Sequence, residues 1–279
     1  MPELPEVETI VRLLRAQLVG QRVSSVEVRW PRCIAIPGAS EFERELIERE
    51  VLDVGRRGKF VIISLSGGKF LLVHLRMTGR LLVEDAGRAA ASGEVAPDPH
   101  IHVVFRFVSG RALRFHDTRK FGRLYLLSEP AEIVGDLGPE PLSADFTPQT
   151  LHDLLRGHRK RLKPLLADQR LLAGLGNIYI DEALWEAGIH PLRRAHTLSA
   201  EETARLHAAI RKVLARAIEN LGTTLRDYRT PLGESGENQE ALAVYGRQGK
   251  PCPRCGEVVR RELVGGRGTW YCPSCQRCD

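Results

Sequence analysis

Long apolar runs are missing from this chain. No stretch approaches the roughly 18 consecutive apolar residues that a membrane-spanning helix needs. Nor does the start show a basic segment followed by an apolar core, so no secretory leader is expected and the chain reads as cytoplasmic. Aromatic residues make up only 6% of the 279 positions, too few to line a stacking platform for single-stranded nucleic acid. No segment repeats internally. Cysteine is sparse, with six in all, and four of them fall as C-P-R-C at 252–255 and C-P-S-C at 272–275. In a reducing compartment that pattern suggests a metal site and not disulfides.

What is present is ordinary for a globular protein: 43% hydrophobic and 27% charged residues, enough for one large domain or two to three small ones. Lys+Arg outnumber Asp+Glu by 41 to 35, a net charge of +6, which favours a polyanionic partner, nucleic acid first. The cationic residues cluster in R-R-G-K at 56–59, T-R-K-F-G-R at 118–123 and R-G-H-R-K-R-L-K at 156–163. The last run fits a solvated helix face as well as a binding patch.

Patterning divides the chain into three. Val7, Ile10, Val11, Leu14 and Leu18 recur at helical spacing, so residues 5–18 form a helix with Pro5 at its first position, Glu6 and Glu8 at its positive end and Gly20 at its stop. From Val23 to Leu127 the chain reads as short strands rich in β-branched and aromatic residues, parted by glycine turns and without intervening helices. Such a series predicts an antiparallel sandwich or barrel. Residues 84–99 read as a flexible loop, and the three prolines of 137–148 as a linker. Helical patterns follow, the last opened by Ser199 with Glu202 three residues on, a capping box, and closed by Gly222. The expected divisions are 1–136, 137–232 and 233–279.

The cysteine pairs enclose sixteen residues, a spacing suited to one structural zinc held by Cys252, Cys255, Cys272 and Cys275. The intervening V-V-R-R-E-L-V and G-T-W-Y predict a hairpin. With four sulfur ligands the site is closed, and the metal folds a module too small to stand alone. Cys33 and Cys278 are expected to stay free. Upstream, L-A-G-L-G-N-I-Y places two glycines and Asn177 before a helix, either a capped turn or a phosphate-gripping loop beside the basic R-K-R-L-K.

The first eight residues, M-P-E-L-P-E-V-E, remain to be explained. Together with R-R-G-K-F at 56–60, G-L-G-N-I-Y at 174–179 and C-P-R-C…R-G-T-W-Y-C-P-S-C-Q at the end, they resemble the formamidopyrimidine-DNA glycosylase family, related to the endonuclease VIII type. The resemblance covers the whole chain in matching order. It implies an α+β multidomain fold: an N-terminal helix with a β-sandwich, a helix-two-turn-helix DNA-binding domain and a C-terminal zinc-finger hairpin. It also implies base-excision repair, by a glycosylase and abasic-site lyase acting on oxidised purines in double-stranded DNA.

The same resemblance implies the roles. Removal of Met1 leaves Pro2 as a secondary amine titrating at about 8, which attacks the sugar and forms a Schiff base. Glu3 transfers protons to the sugar ring oxygen. Lys59, which contacts the phosphate beside the lesion, and the hairpin's Arg267, whose fork can engage two phosphate oxygens at once, join the catalytic set, while Asn177 and Lys163 are DNA-binding residues, Asn177 gripping a backbone phosphate. Met77, Arg119 and Phe121 fill the gap left by the everted base. Glu6, Thr223, Thr224 and Arg226 are candidates for the base pocket. Three departures from the family pattern blur the expected lesion preference: Arg76 where glycine is usual, Lys120 where arginine is commoner, and G-E-N-Q-E-A in place of the more aromatic tail of the loop that, after the last long helix, caps the everted purine. A monomer acting on the nucleoid is expected. Two rivals stay open: an endonuclease VIII-like enzyme for oxidised pyrimidines, and a zinc protein that binds lesions without cutting.

Overall fold

The computed structural model describes residues 1–85 and 98–277. Most of the expected 84–99 loop, and Cys278, lie outside the described residues. The chain forms two compact units that interleave along the sequence: Met1–Gly135 with Leu221–Glu237, and Asp136–Asn220 with Asn238–Asp279. The segment after the last long helix therefore returns to the first unit, a division that no linear reading of composition reveals.

Helix α1 (Leu4–Leu18) opens the first unit, with Pro5 in its first turn and Glu6 as the acid there. Its buried stripe of Val7, Ile10, Val11, Leu14 and Leu18 follows the 3.6-residue period. Strands β1 (Val23–Val28), β6 (Gly79–Glu84), β7 (Ile101–Phe107) and β8 (Ala112–Asp117) make an antiparallel sheet in the order β1-β7-β8-β6. A second sheet runs β2-β9-β5-β4-β3, from β2 (Ile34–Ile36), β3 (Val51–Arg57), β4 (Phe60–Leu65), β5 (Lys69–His74) and β9 (Arg123–Leu127). Its edge strand β2 pairs with β9 in parallel, the exception to an otherwise antiparallel pattern. One core joins both sheets to α1: Val103, Phe105, Leu113 and Phe115 from the first, and Val54, Val61, Ile63, Leu71 and Val73 from the second. Alternation puts these residues on the inner faces.

The expectation of strands without intervening helices needs a correction, because α2 (Ala39–Leu46) interrupts them and buries Phe42 and Leu46 in the same core. A one-turn helix α3 (Ala131–Val134) follows β9.

The second unit holds α4 (Pro148–Arg156), α5 (Leu162–Leu166), α6 (Asn177–Ala187) and α7 (Ala200–Glu219). The Ser199 box is formed as expected: Glu202 N–H donates to Ser199 Oγ at 3.1 Å and Ser199 N–H to Glu202 Oε2 at 2.8 Å. Helix α7 stops at Glu219, three residues short of Gly222. The basic run at 156–163 is no helix face; Arg159, Lys160 and Arg161 sit exposed in the loop between α4 and α5. Strands β10 (Arg260–Val264) and β11 (Arg267–Tyr271) form the predicted hairpin around Gly265 and Gly266, whose φ values of +56° and +75° give the doubly left-handed turn that suits a strand's twist. Among the described residues, no helix is long and apolar enough to cross a membrane.

Candidate active site and nucleic-acid contacts

The start of the chain is fixed, not frayed. Glu3 N–H donates to Glu6 Oε2 at 2.8 Å, and Thr223 N–H donates to Glu6 Oε1 at 2.7 Å. Glu6 thereby ties the first turn of α1 to residues 221–237, at 1% exposure, with Glu3 nearly as buried. Gly222 makes this possible: its φ is +83°, and a Cβ there would lie 2.9 Å from Glu6 Cγ. Pro2 is buried, and the exposed Met1 lines a cleft of about 460 Å³ with Arg76, Met77, Phe121 and Arg123.

Lys59 sits in the turn between β3 and β4 at 6% exposure. Arg56 braces that turn: its Nη1 donates to the Gly58 carbonyl at 3.0 Å while Nε pairs with Glu8 at 3.1 Å. Phe60 is the register partner of His74 on β5, which brings His74 beside the lysine. His74 Nδ1 accepts the Arg76 N–H at 3.1 Å, so the ring proton sits on Nε2. Burial, with the charges of Arg76 and Lys59 added, pushes the imidazole down to about 3. A neutral N–H donor thus stands next to a cation. The sequence reading missed His74, because H-L-R-M drew attention to its methionine alone.

Met77, Arg119 and Phe121 come together on the surface of the first unit. Met77 and Phe121 are 42% and 47% exposed. Arg119 Nη1 donates to Met77 Sδ at 3.1 Å, and its guanidinium lies 4.8 Å from the Phe121 ring centre. Asp117, fully buried, builds the loop that carries two of them: its carboxylate accepts the N–H of Arg119 at 3.2 Å and of Gly122 at 2.8 Å, and the Thr78 hydroxyl. Exposed apolar groups held this firmly by a buried anion are not packing defects.

In the second unit Asn177 opens α6, with Gly176 and not Asn177 as the cap. Gln169 holds the glycine loop before it, accepting from Gly174 N–H at 2.9 Å and donating to the Leu175 carbonyl at 2.8 Å. Asn177 Nδ2 donates to the Gly268 carbonyl at 3.0 Å, so the loop asparagine meets the strand whose first residue is the exposed Arg267. Lys163 requires a correction. It is 1% exposed, forms an ion pair with Asp181 at 2.7 Å and donates to the Gly268 carbonyl at 2.8 Å. Asp181 in turn accepts the Trp270 N–H at 3.0 Å. Lys163 is a buried strut beneath the hairpin, since an ammonium paired in the interior is out of reach of a phosphate.

Cys252, Cys255, Cys272 and Cys275 place their sulfurs within 4.8 Å of one another. The Cys252–Cys275 and Cys255–Cys272 separations of 3.9 and 3.5 Å suit a tetrahedron of about 2.3 Å metal–sulfur bonds, so one Zn²⁺ fits. Trp185 Nε1 donates to Cys252 Sγ at 3.3 Å, an outer hydrogen bond typical of such sites. Cys33 stays free and buried, its thiol pushed up to about 12 by burial.

Residues 1–124 match the formamidopyrimidine-DNA glycosylase N-terminal domain, 137–229 the H2TH domain of the same enzymes, and 249–277 a zinc finger found in FPG and IleRS. The chain belongs to the formamidopyrimidine-DNA glycosylase family. It is 48% identical to the formamidopyrimidine-DNA glycosylase of Pelotomaculum thermopropionicum over 281 residues, 99% of each chain. Among solved structures it is similar to a Lactococcus lactis FPG mutant in complex with Fapy-dG-containing DNA, with a TM-score of 0.90 and 36% identity over 99% of this chain and 100% of that one. The MutM (FPG) protein of Thermus thermophilus gives a TM-score of 0.87 at 44% identity over 99% and 98%.

Within this family member the candidate base-pocket residues separate. Glu6 and Thr223 meet, whereas the Thr224 hydroxyl donates to the Tyr228 carbonyl at 3.2 Å and accepts the Gly236 N–H at 2.9 Å, shaping the loop from inside. Arg226 is exposed.

Proposed function

We propose that the protein is a bifunctional DNA glycosylase and abasic-site lyase that removes oxidised purines, 8-oxoguanine and formamidopyrimidines, from duplex DNA. Family membership supports the activity, and one observation supports the chemistry: the Glu6 bridge fixes the backbone at Glu3, and Met1, two residues before it, lines an open cleft. The Lactococcus relatives crystallised with Fapy-dG-containing and abasic-site DNA point to the same substrates. Loss of Met1 exposes the Pro2 nitrogen, an amine that is partly neutral near pH 8.

Its lone pair attacks the anomeric carbon of the everted nucleotide, and the glycosidic bond breaks with its electrons leaving on the base. Glu3 delivers a proton to the ring oxygen as the sugar opens. The ammonium formed by the attack gives up its N–H proton, water protonates the departing base, and the freed nitrogen lone pair opens the ring to an iminium, which acidifies the adjacent sugar carbon for β- and then δ-elimination. Lys59 and Arg267 hold phosphates, Asn177 supports the backbone, and Met77, Arg119 and Phe121 occupy the vacated stack. The four cysteines bind a Zn²⁺ that folds the hairpin and takes no part in bond breaking. The enzyme works as a monomer in the cytoplasm, on the nucleoid.

Borohydride added to a mixture of protein and 8-oxoguanine duplex should trap a covalent adduct that maps to residue 2, and Pro2→Gly should lose most of it while still binding DNA. Attachment at a lysine, or full turnover by Pro2→Gly, would sink the assignment. A matched duplex carrying an oxidised pyrimidine should be processed more slowly.

A further inference from the structure

The first unit carries a second cavity, about 510 Å³, lined by Trp30, His102, Lys120, Arg29, Glu27 and Asp98 among others. Its centre is the half-buried indole of Trp30. Lys120 Nζ lies 5.5 Å and Arg123 Cζ 6.0 Å from that ring, and His102 leans on it at 5.3 Å. The carboxylates at the rim are already engaged. Glu27 takes both prongs of Arg29 at 2.8 and 3.2 Å. Asp98 accepts the His100 N–H at 2.8 Å and faces His116 at 3.3 Å. Lys120 and Arg123 have no carboxylate partner among the described residues, and Arg123 donates only to the carbonyls of Lys120 and Gly122. An accessible indole beside two uncompensated cations is the chemistry that takes a nucleotide, base on ring and phosphate on cation.

The cavity shares its frame with the void-filling loop. His102 Nε2 donates at 2.7 Å to the carbonyl of Asp117, whose carboxylate builds that loop. Lys120 stands between Arg119 and Phe121 with φ at +60°, a backbone turn that sends its side chain to Trp30 while its two neighbours stack on each other. Arg123 lines the Met77–Phe121 cleft as well. A loop that wedges into the gap left by an everted base faces the strand that has lost its partner.

We propose that Trp30, with Lys120 and Arg123, is a stacking subsite for a nucleotide of the strand opposite the lesion. The inference rests on the glycosylase reading above.

The test uses full-length protein and a duplex bearing a non-hydrolysable abasic analogue, with a fluorescent purine analogue moved stepwise along the complementary strand. Trp30→Ala should weaken duplex binding roughly five- to tenfold and abolish a fluorescence quench found at one position with the wild type. Trp30→Phe should restore most of both. Lys120→Ala should lower the slope of affinity against salt by about one. Unchanged binding by Trp30→Ala overturns the proposal, as does an equal loss on the lesion strand offered without its complement. Melting temperature and zinc content confirm folding of each variant. The analogue forms no Schiff base, so the result does not depend on Pro2. A wild type that fails to bind the duplex would instead refute the glycosylase reading.

Discussion

His74 shows how much one buried side chain can report. Its folded pKa, pushed down to about 3 by burial and by the nearby Arg76 and Lys59, lies below the ordinary value near 6.5. Between those values the unfolded chain binds a proton that the folded chain refuses, so stability rises with pH across that window and falls as pH drops below about 6.5. One such group contributes a slope of at most about 1.4 kcal/mol per pH unit. His74→Asn keeps a polar group in place and removes the titration. Urea unfolding at pH 7 and at pH 5.5 should therefore show the wild type losing more stability than the variant. Parallel losses would mean that the imidazole is not held neutral. The same neutrality suits the proposed phosphate-holding role of Lys59, because an imidazolium beside it would repel the lysine's charge.

At the scale of elements, the hairpin is fixed to α6 by a buried charge pair. Lys163 and Asp181 are both shielded from water, and between them they hold the backbone of Gly268 and Trp270. Burial pushes the Asp181 carboxyl up to about 7, with Lys163 pulling against it. Removing only the cation leaves an unpaired buried carboxylate, at a cost of about 3–5 kcal/mol. Lys163→Met should thus lower the melting temperature sharply. Adding Asp181→Asn should recover part of the loss, since a neutral amide is easier to bury. A double variant as unstable as the sum of the two single ones would show that the residues do not act as a pair.

Elements whose determinants are local were legible in the sequence: the α1 stripe, the Ser199–Glu202 box and the spacing of Cys252, Cys255, Cys272 and Cys275. Helix α2 was not, because A-S-E-F-E-R-E-L buries just Phe42 and Leu46, too short a pattern to show a period. Contacts made across the chain left no trace either. Glu6 meets Thr223 across 217 positions, and neither residue's neighbours announce the other. Lys163 was misread for a related reason: a lysine in a basic run looks exposed until the fold supplies its carboxylate.

For the molecule as a whole, a net charge of +6 makes DNA affinity a function of salt. Each phosphate met by a cation releases a condensed counterion, so the logarithm of affinity falls with the logarithm of salt at a slope of about −0.9 per contact. A neutral side chain that donates to the backbone releases none. This separates two residues of the second unit, the exposed Arg267 at the start of β11 and Asn177 of α6, whose amide is bound to the next residue of that strand, Gly268. Arg267→Ala should weaken binding and lower the slope by about one. Asn177→Ala should weaken binding at every salt concentration and leave the slope as it was. Titrations of a lesion duplex from low to moderate salt decide between them. If both variants flatten the slope, Asn177 acts by holding the arginine's strand in place, and its part in binding is positional. If neither does, the hairpin's cation does not reach a phosphate, and the net charge works through diffuse attraction alone.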